Sequence, residues 1–348
     1  MAKESVWTSL IACICIAVST NVFNPVQAEN QTGSVSVDET LPPAQDVIMS
    51  LDQARAYMLA LINRDRAASG LAPVAMDPVA TAAGQKHTDD MAQQGFISHW
   101  NKFGKKPDQR YTEAGGIHCD TENLSLRTFR GAGASNDHDG KKSSFDGGGS
   151  YELHGVQAFR QSDLDRMQAA FMAEKPPNDG HRKCILDPVH NYVGIGLSLS
   201  SNGQDNYRIA LSQEFTNVYG QYDQIQQMCT RGQAITLSGR LNPGYEIYEV
   251  AFDWEPLPEP MDFIALDKTH TYVAGKKRLY RYWPPSPTES SPLSVNSLPD
   301  GRQQFRCAIL PKDWKPGVYY AIIMIKPQGA DYNQSFLASR RTIIIPPN

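Results

Sequence analysis

The chain has 348 residues, 41% hydrophobic and 20% charged, with a net charge of -4. That composition belongs to a globular protein. A balance so near neutrality supplies no basic face, so neither nucleic acid nor an anionic membrane is expected as a partner.

The first 28 residues read as an export signal. Lys3 supplies a positive charge, residues 10–18 are apolar, and Val26-Gln27-Ala28 ends on the small residue that cleavage needs. The apolar run is too short for a bilayer, which takes about 20 residues, and nothing later in the chain is longer. No transmembrane segment is therefore expected, and cleavage after Ala28 would give a secreted protein, extracellular or periplasmic. Leu10-Ile11-Ala12-Cys13 also resembles a lipoprotein box, but the apolar run continues past Cys13, which favours the plain signal peptide. About 320 residues would remain, enough for two domains. Residues 29–48 are polar, include Pro42-Pro43, and read as a flexible leader.

Helical signals come next. Ser50 to Gln53 fits a capping box, Leu51, Ala54, Met58, Leu61 and Ile62 recur at helical spacing, and Gly70 fits the stop. Asp77-Pro78 opens a second helix, with Val79, Ala82, Ala83 and Met91 on one face and Gly95 at its end. Ser162 with Asp165 opens a third, whose stripe is Leu164, Met167 and Phe171 and whose stop is Pro176-Pro177. Strands are expected at 192–197 and 207–215, joined by a polar turn. Helices with a short sheet make an α+β domain over 49–222. Beyond it, strands are expected at 234–237, 245–254, 279–283, 304–310, 318–325 and 342–345, with no helix between them. Short strands at regular spacing argue for a β-sandwich over 223–348, and Trp314, Pro316, Gly317 and Tyr319 suit the entry to an immunoglobulin-like core strand.

Residues 131–150 are rich in Gly, Ser and Asp and read as a long exposed insertion. Asp137, Asp139, Gly140 and Asp146 match the ligand and turn positions of an EF-hand loop starting at Ser135. Ser135 and Asp146 depart from the residues that motif needs and flanking helices are missing, so a mobile acidic loop is the plainer expectation and weak calcium affinity the alternative. Cys13 and Cys15 leave with the signal. Cys119, Cys184, Cys229 and Cys307 remain, and four cysteines allow three pairings. Cys119–Cys184 and Cys229–Cys307 are expected, since each closes within one domain.

Four segments of the first domain carry chemistry. Phe96-Ile97-Ser98-His99 is followed by Gly104, Pro107 and Arg110. Gly115-Gly116 precedes Glu122-Asn123-Leu124. Glu174 ends the third helix, and Asp179-Gly180-His181-Arg182 comes next, ahead of Leu186, Pro188 and Val193-Gly194-Ile195-Gly196. This ordered series resembles the CAP superfamily, or SCP-like extracellular domain, which includes cysteine-rich secretory, antigen 5 and pathogenesis-related proteins. The bacterial branch is the nearest in pattern: Leu61-Ile62-Asn63-Arg64-Asp65-Arg66, Gly70-Leu71, Pro73, then Ala83-Gly84-Gln85-Lys86-His87 with Asp90-Met91. The resemblance covers residues 55–220 or so. It implies an α-β-α sandwich with a central cavity marked by His99, Glu122, Glu174 and His181. The stretch after His181, Arg182-Lys183-Cys184-Ile185-Leu186, departs from the aromatic animal and plant signature.

The residues support a site on their own terms. Met167 and Glu174 are seven apart, so on a helix Glu174 would face inward. A buried carboxylate needs a partner, and two imidazoles supply one, directly or through a metal. Two His nitrogens with carboxylate oxygens suit a divalent cation, Zn²⁺ foremost, with the glutamates as ligands, as outer groups that orient the imidazoles, or as a base on bound water. The plainer alternative is that the four residues hold loops in place. His87 reads as a satisfied core histidine, and His118 and His154 have no partner legible in the sequence. No nucleophile elbow, His-Glu-x-x-His helix or phosphate-binding glycine loop is present, so catalysis is left open. Cys119 lies three residues from Glu122 and Cys184 three from His181, where a disulfide would brace the pocket and contribute about 4 kcal/mol. Three functions follow: a module that binds a cation or small ligand while the sandwich attaches it to a surface component or partner, a metal-assisted peptide or ester hydrolase with Glu122 or Glu174 as base, or a structural surface protein with a vestigial cavity.

Overall fold

The computed structural model describes residues 46–130, 158–201, 206–269, 271–275, 277–286, 288–310 and 314–347. The expected signal peptide, most of the leader, the calcium-like loop and His154 lie outside these residues.

The first half runs β1 (Ile48–Met49), α1 (Leu51–Ala68), β2 (Ala75–Met76), α2 (Pro78–Gln94), α3 (Pro107–Glu113), β3 (Asp120–Arg130), β4 (Phe159–Arg160), α4 (Gln161–Met172), α5 (Gly180–Ile185), β5 (Tyr192–Ser201) and β6 (Asn206–Thr216). The local rules explain the starts. The Ser50 hydroxyl accepts from Gln53 N while the Gln53 side chain accepts from Ser50 N, the reciprocal cap expected of α1. Asp77 accepts from Val79 N and Ala80 N at the start of α2, and Gly95 closes that helix at φ 75°. Ala82, expected on the inner face, is exposed. The third helix departs further. Its N-cap is Arg160, and the Ser162 hydroxyl turns instead to Asp46. It also ends at Met172, so Glu174 lies beyond it and not on its inward stripe. Nearly invisible in sequence were α3 and β3.

A four-stranded sheet, β2-β5-β6-β3, lies at the centre, parallel only between β2 and β5. On one face α1, α4 and α5 bury Met58, Leu61, Ile62, Leu164, Met167, Phe171 and Ile185 against Val193, Ile195, Leu211 and Phe215. On the other, α2 packs through Met91 and Ala92 near Leu124 and Ala210. This is the α-β-α sandwich. Gly194 and Gly196 of β5 let α2 approach: a Cβ there would meet the Ala80 backbone at 2.3 Å and the Gly84 backbone at 2.4 Å. Arg66, 1% exposed, locks α1 to the turn after α5 through the carbonyls of Ile185 (2.8 Å), Asp187 (2.9 Å) and His190 (3.0 Å).

The second half continues with β7 (Gly220–Tyr222), β8 (Ile235–Leu241), β9 (Tyr245–Glu255), the single turn α6 (Phe263–Asp267), β10 (Lys277–Tyr282), β11 (Leu293–Ser297), β12 (Gln303–Ile309), β13 (Gly317–Pro327) and β14 (Phe336–Ile345). Two antiparallel four-stranded sheets, β10-β9-β13-β14 and β11-β12-β8-β7, enclose a second core that includes Leu237, Val250, Phe252, Phe305, Ile323 and Ile343. All six expected strands are present. The one-turn α6 and strand β11 were not expected, and β7 pairs with β8 across the expected boundary at 222.

The segment linking β9 to β10 reaches out to the first core. Its Leu266 is fully buried with Met91, Phe96, Ile97 and Leu124. Phe263 stacks on Phe96 at 5.7 Å, and Ser98 Oγ donates to Thr269 O at 3.2 Å. Strand β14 docks from the other direction: Cys119 N donates to Ala338 O (3.1 Å) and Arg340 N to His118 O (3.3 Å). Buried ion pairs Arg340–Asp108 and Lys106–Glu255, each 2.5 Å, complete the contact.

Among the described residues no helix is long and apolar enough to cross a membrane. Cys119, Cys184, Cys229 and Cys307 are buried as thiols. Burial pushes Cys119 and Cys307 up to about 12 and Cys184 well above the ordinary thiol range.

Candidate functional site

The four marker residues form two imidazole–carboxylate pairs. His99 Nδ1 lies 2.7 Å from Glu122 Oε1, both side chains fully buried. His181 Nδ1 lies 2.5 Å from Glu174 Oε1. Among the described residues no three His, Cys, Asp or Glu side chains form a group able to hold a metal. Hydrogen bonds thus join the four two by two.

The sheet explains this. Glu122 and Leu124 of β3 face α2, while Asn123 points to the opposite face. There the Asn123 amide donates to His181 O (3.1 Å) and meets Gln213, which bonds Gln168 of α4. The His99 pair therefore belongs to the α2–α3 side of β3 and the His181 backbone to the α4 side.

Arg110, placed by the first turns of α3, organises the His99 pair. It donates to His99 O at 2.6 Å, to Lys105 O at 3.2 Å and, very closely, to Glu122 Oε2. Burial opposes its charge, but Glu122 and Glu214 outweigh that and hold it protonated. Glu214 faces Glu122 across β3 and β6 and takes a 2.6 Å hydrogen bond from Ser212 Oγ. Room for it exists because α2 has Gly84 here: a Cβ would sit 2.7 Å from Ser212 Oγ and 3.0 Å from Glu214 Cγ. Burial, then the neighbouring Glu122, raises Glu214 well above the carboxylate range, and burial raises Glu122 too, with Arg110 opposing. Asp120 is raised as well, by burial and then Glu214. Over His99 lies Tyr272, ring centroids 5.0 Å apart, with Trp100 5.8 Å from Tyr272.

The other pair sits at the start of α5. Glu174 Oε2 accepts from His181 N (3.0 Å) and Arg182 N (3.4 Å), so one carboxylate caps the short helix and orients its imidazole. The His181 ring stacks on Phe171 at 4.5 Å, and its Nε2 is buried with no hydrogen-bond partner among the described residues. Glu174 turns inward after all, but through the turn beyond α4, not through helical spacing.

His87 differs from expectation in one atom. Its Nε2 bonds Ser98 O at 2.7 Å as a core histidine should, yet Nδ1 is buried and unpartnered among the described residues. Burial lowers its pKa well below the usual value. Glu214, Asp120 and Tyr272 were missed in the sequence. A signal for Glu214 existed: Ala210, Ser212 and Glu214 share one face of β6, opposite Ile209, Leu211 and Phe215. Tyr272 left none, because its role depends on the packing of the second domain.

A family model described as CAP, cysteine-rich secretory protein family, matches residues 59–215. Among solved structures, an extracellular SCP-domain protein of Bacillus anthracis is 16% identical at a TM-score of 0.31, the match covering 48% of this chain and 41% of that one. An outer surface protein of Borrelia burgdorferi is 13% identical at 0.32, over 50% of this chain and 98% of that one. Among curated proteins no relative matches the sequence. Residues 59–215, a little under half of this chain, are thus similar to the CAP, or cysteine-rich secretory protein, family.

Proposed function

We propose that this is an exported binding protein in which His99 and His181, each oriented by its glutamate, take a divalent cation or a small polar ligand, while the sandwich attaches the module to a surface component or partner. The observation that carries this is the use of both Nδ1 atoms. An imidazole whose Nδ1–H is given to a carboxylate presents Nε2 as a lone pair, which is how metal-binding histidines are held. His181 Nε2, buried and unpartnered among the described residues, fits that role. Zn²⁺ suits such nitrogens, and with no third protein ligand gathered at the site a cation would complete its shell with water or ligand. A bound cation would supply Lewis acidity. Export rests on the signal-like N-terminus.

A second reading has its own support. Arg110 ties the His99 carbonyl to the Glu122 carboxylate, and Tyr272 roofs the imidazole. These favour a brace for the His99 half. Calorimetric titration of Zn²⁺ into metal-free protein at about pH 7.5 separates the two. If both histidines are ligands, His99→Ala and His181→Ala each abolish binding, and Glu122→Gln or Glu174→Gln weakens it about 10–100-fold. A brace at His99 predicts binding lost in His181→Ala alone. A double histidine variant that binds as tightly as the parent ends the cation reading.

A further inference from the structure

Arg341 of β14 is 0% exposed, and it is not paired as its neighbour Arg340 is with Asp108. Its Nη1 donates to Asp223 O at 2.5 Å. Nε and Nη2 are buried with no hydrogen-bond partner among the described residues. Its Cζ lies 5.9 Å from the ring centroid of Tyr222. On that same ring His118 packs edge-on at 5.6 Å. The Tyr222 hydroxyl and His118 Nδ1 are likewise buried and unpartnered among the described residues. The Asp223 carboxylate accepts from Ser238 Oγ at 2.5 Å and acts on Arg341 through its charge without a hydrogen bond to it. The three residues come from three segments: His118 precedes β3, Tyr222 ends β7, and Arg341 lies beside the backbone bond from Arg340 N to His118 O.

The set carries one positive charge and a surplus of donors. A guanidinium has five donors and no acceptor, whereas the phenol and the neutral imidazole can each donate or accept, so the excess of donors comes from Arg341. Burial pulls Arg341 down to about 10, which still leaves it charged at neutral pH. A buried charge without a counter-charge costs several kcal/mol, so the complement of this cluster is an acceptor that carries negative charge. We propose that Arg341, Tyr222 and His118 bind a small anion of chloride size at the junction of the two domains.

The test uses the full mature protein. Crystals grown in bromide should show an anomalous peak between Arg341 and Tyr222. At fixed ionic strength, replacing gluconate by chloride should raise the melting temperature by about 2–4 °C. Tyr222→Phe, which removes one O–H, should need several-fold more chloride for the same rise, and Arg341→Met should show none. Ordered water in place of bromide overturns the proposal, as does a chloride effect unchanged in Tyr222→Phe. If Arg341→Met fails to fold, the bromide map and Tyr222→Phe still decide.

Discussion

The Tyr272 ring lies 5.0 Å from the His99 imidazole, tilted by 54°, so a residue of the second half of the chain roofs a histidine of the first. Tyr272 belongs to the segment between β9 and β10 whose Leu266 completes the apolar layer beneath α2. The two halves therefore share both a hydrophobic layer and the cover over His99.

Leu266→Ala should cost about 2–5 kcal/mol, the range for a fully buried leucine. Urea unfolding followed by tryptophan fluorescence checks this. A cost under about 0.5 kcal/mol, the level of surface substitutions, would show that the segment only rests on the first core. Tyr272→Ala should expose His99 to diethylpyrocarbonate, with its modification read by peptide mass spectrometry. Protection equal to the parent would mean that Tyr272 is not the cover.

Glu214 sets a pH dependence whose sign can be worked out. Burial and Glu122 raise its folded pKa well above the usual value, so folding takes up a proton there. Its contribution is fully present below the unfolded pKa and is lost as pH rises toward the folded one. His87, lowered by burial, acts oppositely and destabilises as pH falls below about 6.5. Glu214→Gln keeps the shape and cannot ionise. Relative to the parent, its stability should therefore grow by up to about 1.4 kcal/mol per pH unit between pH 5 and 8. A difference that stays flat across that range would place the proton elsewhere.

The four cysteines are buried, and burial holds Cys119, Cys184 and Cys307 far from the thiolate form. Thiols in that state exchange slowly, so any disulfide must form before the cores close. Protein secreted through an oxidising compartment should show Cys119–Cys184 and Cys229–Cys307 by peptide mapping. Four alkylatable thiols after denaturation without reductant would count against the pairings.

Proteolysis offers a check on the long insertion. The Gly-, Ser- and Asp-rich composition of residues 131–150 predicts an exposed loop, so limited digestion should nick there before any other internal site. First cuts between β9 and β10 would contradict the close packing of Leu266.

Local chemistry by itself determined much of this protein. Ser50 and Gln53 cap α1, Asp77 and Pro78 start α2, and six strands of the sandwich follow from short apolar runs between turns. The order of His99, Glu122, Glu174 and His181 was enough to point to the family. These features depend on neighbours within a few residues, which a sequence displays directly. Tertiary structure decided what touches what. The alternation of β3 sends Glu122 and Asn123 to opposite faces, so Glu122 meets His99 while Asn123 holds the His181 backbone. Arg110 becomes the partner of Glu122 only because α3 sets it there, and Glu214 matters only because β6 lies beside β3. Tyr272 reaches His99 from 173 positions away in the chain, held by the burial of Leu266. Contacts of that range arise from packing of whole layers, and no local pattern encodes them.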